Sequence, residues 1–96
     1  MAPKELLALR LLIDHRDGLY GSELVHHSEG KLNRGTIYSL LERMVDKGYV
    51  REVEIPATAA LNLPRTRHVV TASGKNAYNA FLVEQGLQRV PFATAG

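Results

Sequence analysis

Arg34, Gly35, Thr36, Tyr38 and Ser39 bring a guanidinium, three hydroxyls and a glycine together within less than two helical turns. Such a set is suited to recognition and not to bond making. Its donors can reach phosphate oxygens or base edges, while Gly35 and Ser39 keep the surface low enough for a close approach. Asn33 precedes the cluster and Arg43 follows it, and Arg65 and Arg67 form a second basic pair further along. Catalytic alternatives find no support. No Ser-His-Asp set, paired carboxylates or Gly-rich phosphate loop can be assembled from local sequence. His26 and His27 stand three and four residues after Glu23, a spacing that invites a metal. A zinc site needs three or four ligands, and no second ligand cluster exists, so these are read as solvated or phosphate-near imidazoles. Neither a metal nor a cofactor is expected, and the chain is not expected to be an enzyme.

The stretch that must position the cluster is Asn33 to Val50, read as one helix of about four turns. Asn33 is a capping residue, Ile37, Leu41, Met44 and Gly48 recur at one face, Lys47 suits the last turn, and Gly48 suits the left-handed position beyond it. Placing residues at 100° intervals turns Gly35, Ser39, Glu42, Arg43 and Asp46 away from that face, with Arg34 and Tyr38 on one flank and Thr36 and Lys47 on the other. An amphipathic helix alone implies only a buried face, so the flanking elements decide its use.

Upstream, Pro3 to Arg16 reads as a helix with leucines around most of its circumference. Asp17-Gly18 breaks it. Gly21 or Ser22 then opens a short helix, Glu23 to Ser28, close enough to the next to form a helix-turn-helix unit. Downstream, Tyr49 to Ile55 reads as a strand ended by Pro56, and Pro64 to Thr71 as its partner across the uncharged segment Ala57 to Leu63. Thr71 or Ser73 caps a last helix, Ala72 to Val90, stopped by Pro91. The order is that of an α+β winged helix-turn-helix. Residues 1–71 form the winged helix domain, residues 72–90 a C-terminal helix, and residues 91–96 a flexible tail.

Length and charge agree with one small domain. The formal charge of +2 over 96 residues is modest but uneven: residues 31 to 70 carry seven Lys/Arg against four Asp/Glu, whereas residues 1 to 30 carry three against five. The absence of cysteine excludes disulfides and thiolate zinc sites and suits a reducing cytoplasm. No apolar run reaches the length of a membrane span, and no signal-peptide pattern opens the chain.

Several separated motifs then agree in order and spacing. Leu19-Tyr20-Gly21-Ser22-Glu23-Leu24, Leu32-Asn33-Arg34-Gly35-Thr36-Ile37-Tyr38-Ser39-Leu40-Leu41, Gly48-Tyr49-Val50, Pro64-Arg65 and Val70-Thr71-Ala72-Ser73-Gly74 closely resemble the PadR family of bacterial and archaeal transcription regulators, over roughly residues 5 to 85. The resemblance implies that the third helix enters the major groove, that Thr36 and Tyr38 hold phosphate or groove positions, and that wing arginines touch the backbone or minor groove. It implies dimerisation through the first and last helices, in the shorter subgroup with a single last helix. Three positions depart from the pattern: Val70 replaces the usual Leu, His68 stands where the family often has Tyr, and the wing segment is long and uncharged. That last departure moves the expected phosphate contacts to Arg65 and Arg67 at the base of the wing.

The expected DNA-binding set is therefore Asn33, Arg34, Gly35, Thr36, Tyr38, Ser39, Arg43, Arg65 and Arg67. A dimer interface is expected from Leu6, Leu9 and Leu12 of the first helix with Tyr78, Phe81, Leu82 and Leu87 of the last, because both helices carry more apolar surface than a three-helix core needs. The partners would be double-stranded DNA and a second copy, bound as a homodimer to a palindromic operator with half-site centres about 10 bp or a multiple apart, acting as a repressor in the bacterial or archaeal cytoplasm at the nucleoid. Relatives of this type sometimes bind a planar small-molecule effector. Here Tyr78 and Phe81 are the only aromatic residues of the last helix and read first as core. Two other uses of the fold compete: a protein-protein interaction module whose arginines meet an acidic partner, and a plasmid replication or partition protein that binds DNA. The short residues Gly35, Thr36 and Ser39 favour DNA over a protein partner.

Overall fold

A computed structural model describes residues 2–55 and 65–86. Four helices and three strands follow one another as α1 (Pro3–Asp14), β1 (Leu19–Tyr20), α2 (Gly21–His27), α3 (Ile37–Asp46), β2 (Val50–Ile55), β3 (Arg65–Val70) and α4 (Ala72–Glu84). The α+β winged helix-turn-helix expected from the sequence is the architecture found.

The core lies where α1, α2 and α3 meet the root of the sheet. Leu9, Leu12, Leu24, Ile37, Leu41 and Met44 are its largest fully buried side chains, and Leu19, Val50 and Val70 bring in the strands. This repeats the apolar period that marked the third helix, since Ile37, Leu41 and Met44 recur one turn apart on a single face. Burial also corrects the first helix. Leu9 and Leu12 have no exposed surface and belong to the core cluster, so neither can face a second subunit. Leu6 remains half-buried.

Several boundaries differ from the sequence reading. The helix expected from Asn33 begins at Ile37: the Asn33 carboxamide oxygen accepts from the Thr36 amide at 3.0 Å and the Thr36 hydroxyl at 3.1 Å, which closes a turn over Arg34 to Thr36. Asn33 is a cap, but of that turn, and Gly35 inside it disfavours regular helix. At the other end Lys47 is the C-cap and Gly48 adopts φ +81°, the left-handed residue expected there. The second helix starts at Gly21 because the Glu23 carboxylate accepts from the Tyr20 amide at 2.8 Å and holds the first turn. The last helix stops at Glu84, six residues short of Val90, since Gly86 at φ +68° turns the backbone out of the helix. Thr71, not Ser73, caps its start, accepting from the Gly74 amide at 3.0 Å. The segment Ala57 to Leu63, Leu87 and the tail lie outside the described residues.

The turn between α2 and α3 is locked by Ser28, which is buried. Its hydroxyl donates to the Val25 carbonyl at 2.7 Å and accepts from the Leu32 amide at 3.0 Å. That one side chain spans the turn and fixes how α3 leaves α2.

No pattern in the sequence signals β1. Two residues, Leu19 and Tyr20, pair antiparallel with His68 and Arg67, so the sheet order is β1-β3-β2 and β3 is central. A two-residue strand is too short to show alternation, and Gly18 at φ +97° reads equally well as an ordinary turn.

Candidate nucleic-acid interface

The turn and first helical turn of α3 form a polar, exposed ridge. Asn33, Arg34, Gly35, Thr36, Tyr38, Ser39 and Arg43 are all exposed, while Ile37, Leu40 and Leu41 between them point into the core. The helical period turns Tyr38, Ser39 and Arg43 outward, and the turn before the helix exposes the others. Tyr38, 62% exposed, is the most conspicuous large side chain in this set.

Its ring is nevertheless seated. A Cβ added at Gly21 would stand 2.7 Å from the Tyr38 ring and 2.8 Å from its hydroxyl oxygen, so Gly21 is the shelf on which the phenol rests. The first residue of α2 had been read only as a cap. Sequence offers no signal for this contact, because the two residues are brought together by the packing of α3 on α2.

Two further residues join the ridge from outside α3. Lys4 lines a depression of about 450 Å³ together with Thr36, Ser39 and Arg43, which brings a lysine unforeseen in the sequence to the edge of the ridge. Glu5, next to it and buried, accepts from Lys47 Nζ at 3.2 Å through both carboxylate oxygens and lies 3.9 Å from Arg43 Nε. This ties the start of α1 to the end of α3. The Arg43 side chain stays exposed.

The wing arginines are not equivalent. Arg65 opens β3 opposite Ile55. Arg67 is half-buried: its guanidinium lies 5.0 Å from the centre of the Tyr20 ring, with Nη2 3.5 Å from the phenol oxygen. It packs β3 onto β1 through a cation-π contact, and its Nε is buried without a partner among the described residues. The sequence reading gave Arg67 a phosphate contact alone, without this packing role.

His68 stands beside it on β3. It is buried, its Nδ1 has no partner among the described residues, and its Nε2 lies 3.7 Å from a Glu52 carboxylate oxygen across the hairpin. Burial pulls its pKa below the ordinary 6.5, and Glu52 pulls upward without overcoming it. The sign for stability follows. Above pH 6.5 the imidazole is neutral folded and unfolded; as pH falls through 6.5 the unfolded chain takes up the proton first, and stability declines until His68 itself protonates in the folded chain. Urea titrations at several pH values should show this decline, and the difference curve against His68→Gln should isolate it, since His15, His26 and His27 remain in both proteins.

Those three histidines form a row of rings at the ends of α1 and α2, with His15 and His27 centroids 4.7 Å apart. His15 Nδ1 contacts the Leu11 carbonyl at 2.8 Å and finishes α1. No group of three potential ligands able to hold a metal occurs among the described residues.

The surface of α4 is different in kind. Only Gly74 of this helix is buried; Tyr78, Phe81 and Leu82 are half-buried, and Val83 is 53% exposed. Tyr78 packs on the core cluster as expected, and Phe81 lines a depression of about 330 Å³ with Tyr49, Ala77 and Ala80.

The sequence matches no family model and no curated protein. Solved structures do match. The chain superposes on a PadR-like transcription factor from Bacteroides fragilis with TM-score 0.72 and 20% identity, covering 85% of this chain and 79% of that one. It superposes on Bacillus subtilis PadR in complex with operator DNA with TM-score 0.74 and 19% identity, over 86% of this chain and 48% of that one. A PadR family regulator from Clostridium difficile gives 0.72 and 21%, covering 86% of both. This is the PadR fold. The chain spans about half the length of the B. subtilis protein, and nearly all of the described PadR fold here is the winged domain with its trailing helix. No described helix is long and apolar enough to cross a membrane.

Proposed function

We propose that the protein is a PadR-family transcription regulator that binds double-stranded DNA in a sequence-specific way, as a homodimer on a palindromic operator, and acts as a repressor in the cytoplasm at the nucleoid. The observation that carries this reading is the ridge from Asn33 to Ser39, whose donors are all exposed while the residues between them are core. In a fold that B. subtilis PadR presents to operator DNA, that ridge is the part of the molecule with donors and low relief suited to a major groove. Arg34, at the tip of the turn, is the residue assigned to a base edge. Lys4, Arg43 and Arg65 are assigned to phosphates, which position without specifying. Arg67 acts first by holding β3 on β1.

Electrophoretic shift against fragments of the encoding genome, followed by mapping of the protected site, tests the proposal. Arg34→Ala should then lose about 1–3 kcal/mol of binding free energy on the mapped site and tolerate substitution of one base pair, with unchanged circular dichroism. Equal affinity of the two proteins for the site would remove Arg34 from base reading. Failure of the wild type to prefer any fragment would remove the function.

A further inference from the structure

A groove of about 340 Å³ separates the outer face of α3 from the hairpin, lined by Tyr38, Ser39, Glu42, Glu52, Thr66 and His68. It holds two carboxylates on the side of the molecule proposed to face a polyanion. The two differ in how they are satisfied. Glu52 stands 3.7 Å from His68 on the neighbouring strand. Glu42 is exposed and has no ion-pair or hydrogen-bond partner among the described residues. It follows Ser39 by three residues and Tyr38 by four, so it rises directly above both on the outward side of α3.

An unpaired carboxylate there is repelled by phosphates, and it is desolvated when the helix enters a groove. A hydrogen-bond donor on the nucleic acid itself offsets these penalties. In the major groove the donors are exocyclic amino groups. Adenine presents its amino group beside the N7 acceptor, which faces a carboxylate with a second lone pair, whereas cytosine presents its N4 amino group without that acceptor. Resting on the DNA-binding reading above, we infer that Glu42 is a specificity-determining residue whose carboxylate accepts a hydrogen bond from N4 of a cytosine in the operator. The same charge, unanswered on other sequences, acts against non-specific binding.

Selection of a randomised duplex pool by the wild type and by Glu42→Ala, followed by sequencing, tests this. The wild-type consensus should contain a C·G pair that the variant consensus lacks, the preference at that position falling from about fivefold or more to none. Affinity of Glu42→Ala for random duplex should rise while affinity for the wild-type consensus falls. Glu42→Gln, which keeps an acceptor oxygen without the charge, should retain part of the cytosine preference. Identical consensus sequences, or loss of a preference for a base other than cytosine, would overturn the assignment and leave the DNA-binding reading standing. A wild type that enriches no sequence would overturn both.

Discussion

Leu82→Asp should yield a monomer that no longer binds the operator at concentrations where the wild type is saturated. The expectation rests on how little of α4 the chain uses for itself. A helix of thirteen residues with Gly74 as its only buried member leaves Phe81 and Leu82 half-covered and Val83 open. Covering a leucine-sized side chain is worth about 1.5–3 kcal/mol, so a carboxylate in its place costs more than the lost contact alone. In the proposed dimer each interface is built from the same patch twice, and one substitution therefore acts on both sides of the axis. The half-sites lose their linkage, and a single winged domain is left with its own weaker affinity. Sedimentation equilibrium at low micromolar concentration reads the assembly, and Glu84→Gln, an exposed polar change on the same helix, should leave it intact. A wild-type monomer that binds one asymmetric site would sink both the dimer and the palindrome.

Gly74→Ala should be the most damaging small substitution in the described residues. Gly74 sits where α4 crosses the entry to the wing, and an added methyl would overlap the Tyr49 carbonyl oxygen and press on Val70 at 2.9 Å. A backbone oxygen cannot swing aside as the end of a side chain can. The same carbonyl accepts from the Thr71 amide at 3.0 Å, and the Thr71 hydroxyl donates to the Gly48 carbonyl at 2.6 Å. The clash therefore loosens the joint that aligns α3, β2 and α4 together. Overpacking at such a joint costs about 1–3 kcal/mol or more. For a domain of this size that lowers the thermal midpoint by about 4–8 °C for each kcal/mol, which calorimetry resolves. An unchanged midpoint would mean that α4 is not anchored at Gly74.

The PadR-like motifs in the sequence bear directly on the second of these substitutions. Val70-Thr71-Ala72-Ser73-Gly74 announces a helix start, and its glycine makes sense once the Tyr49 carbonyl is seen against it. The third helix was legible because Ile37, Leu41 and Met44 repeat with the period of the buried face and Gly48 marks its end, whereas Asn33 marks the turn before it and not its first residue. What sequence could not convey were contacts between elements distant along the chain. Tyr38 on Gly21, Lys4 in one depression with Ser39 and Arg67 over Tyr20 depend on crossing angles and register, which leave no local pattern. Leu9 and Leu12 were misassigned for a related reason: a helix apolar on most sides does not say which sides its own chain covers. Of the residues expected at the interface, Leu6, Tyr78, Phe81 and Leu82 keep exposed surface among the described residues.

The two-residue strand β1 joins parts that are usually thought of separately. Arg67 of the wing rests on Tyr20, Tyr20 leads straight into Gly21, and Gly21 carries the ring of Tyr38 on α3. Among the described residues the spacing of β3 and α3 is therefore set through one series of contacts, like the jaws of a caliper. In the proposed complex, a duplex whose groove spacing matches the jaws would be held without deformation of either molecule. One that is too wide or too narrow would have to bend to fit, and the shape of the target would then contribute to its selection before any single side chain reads a base.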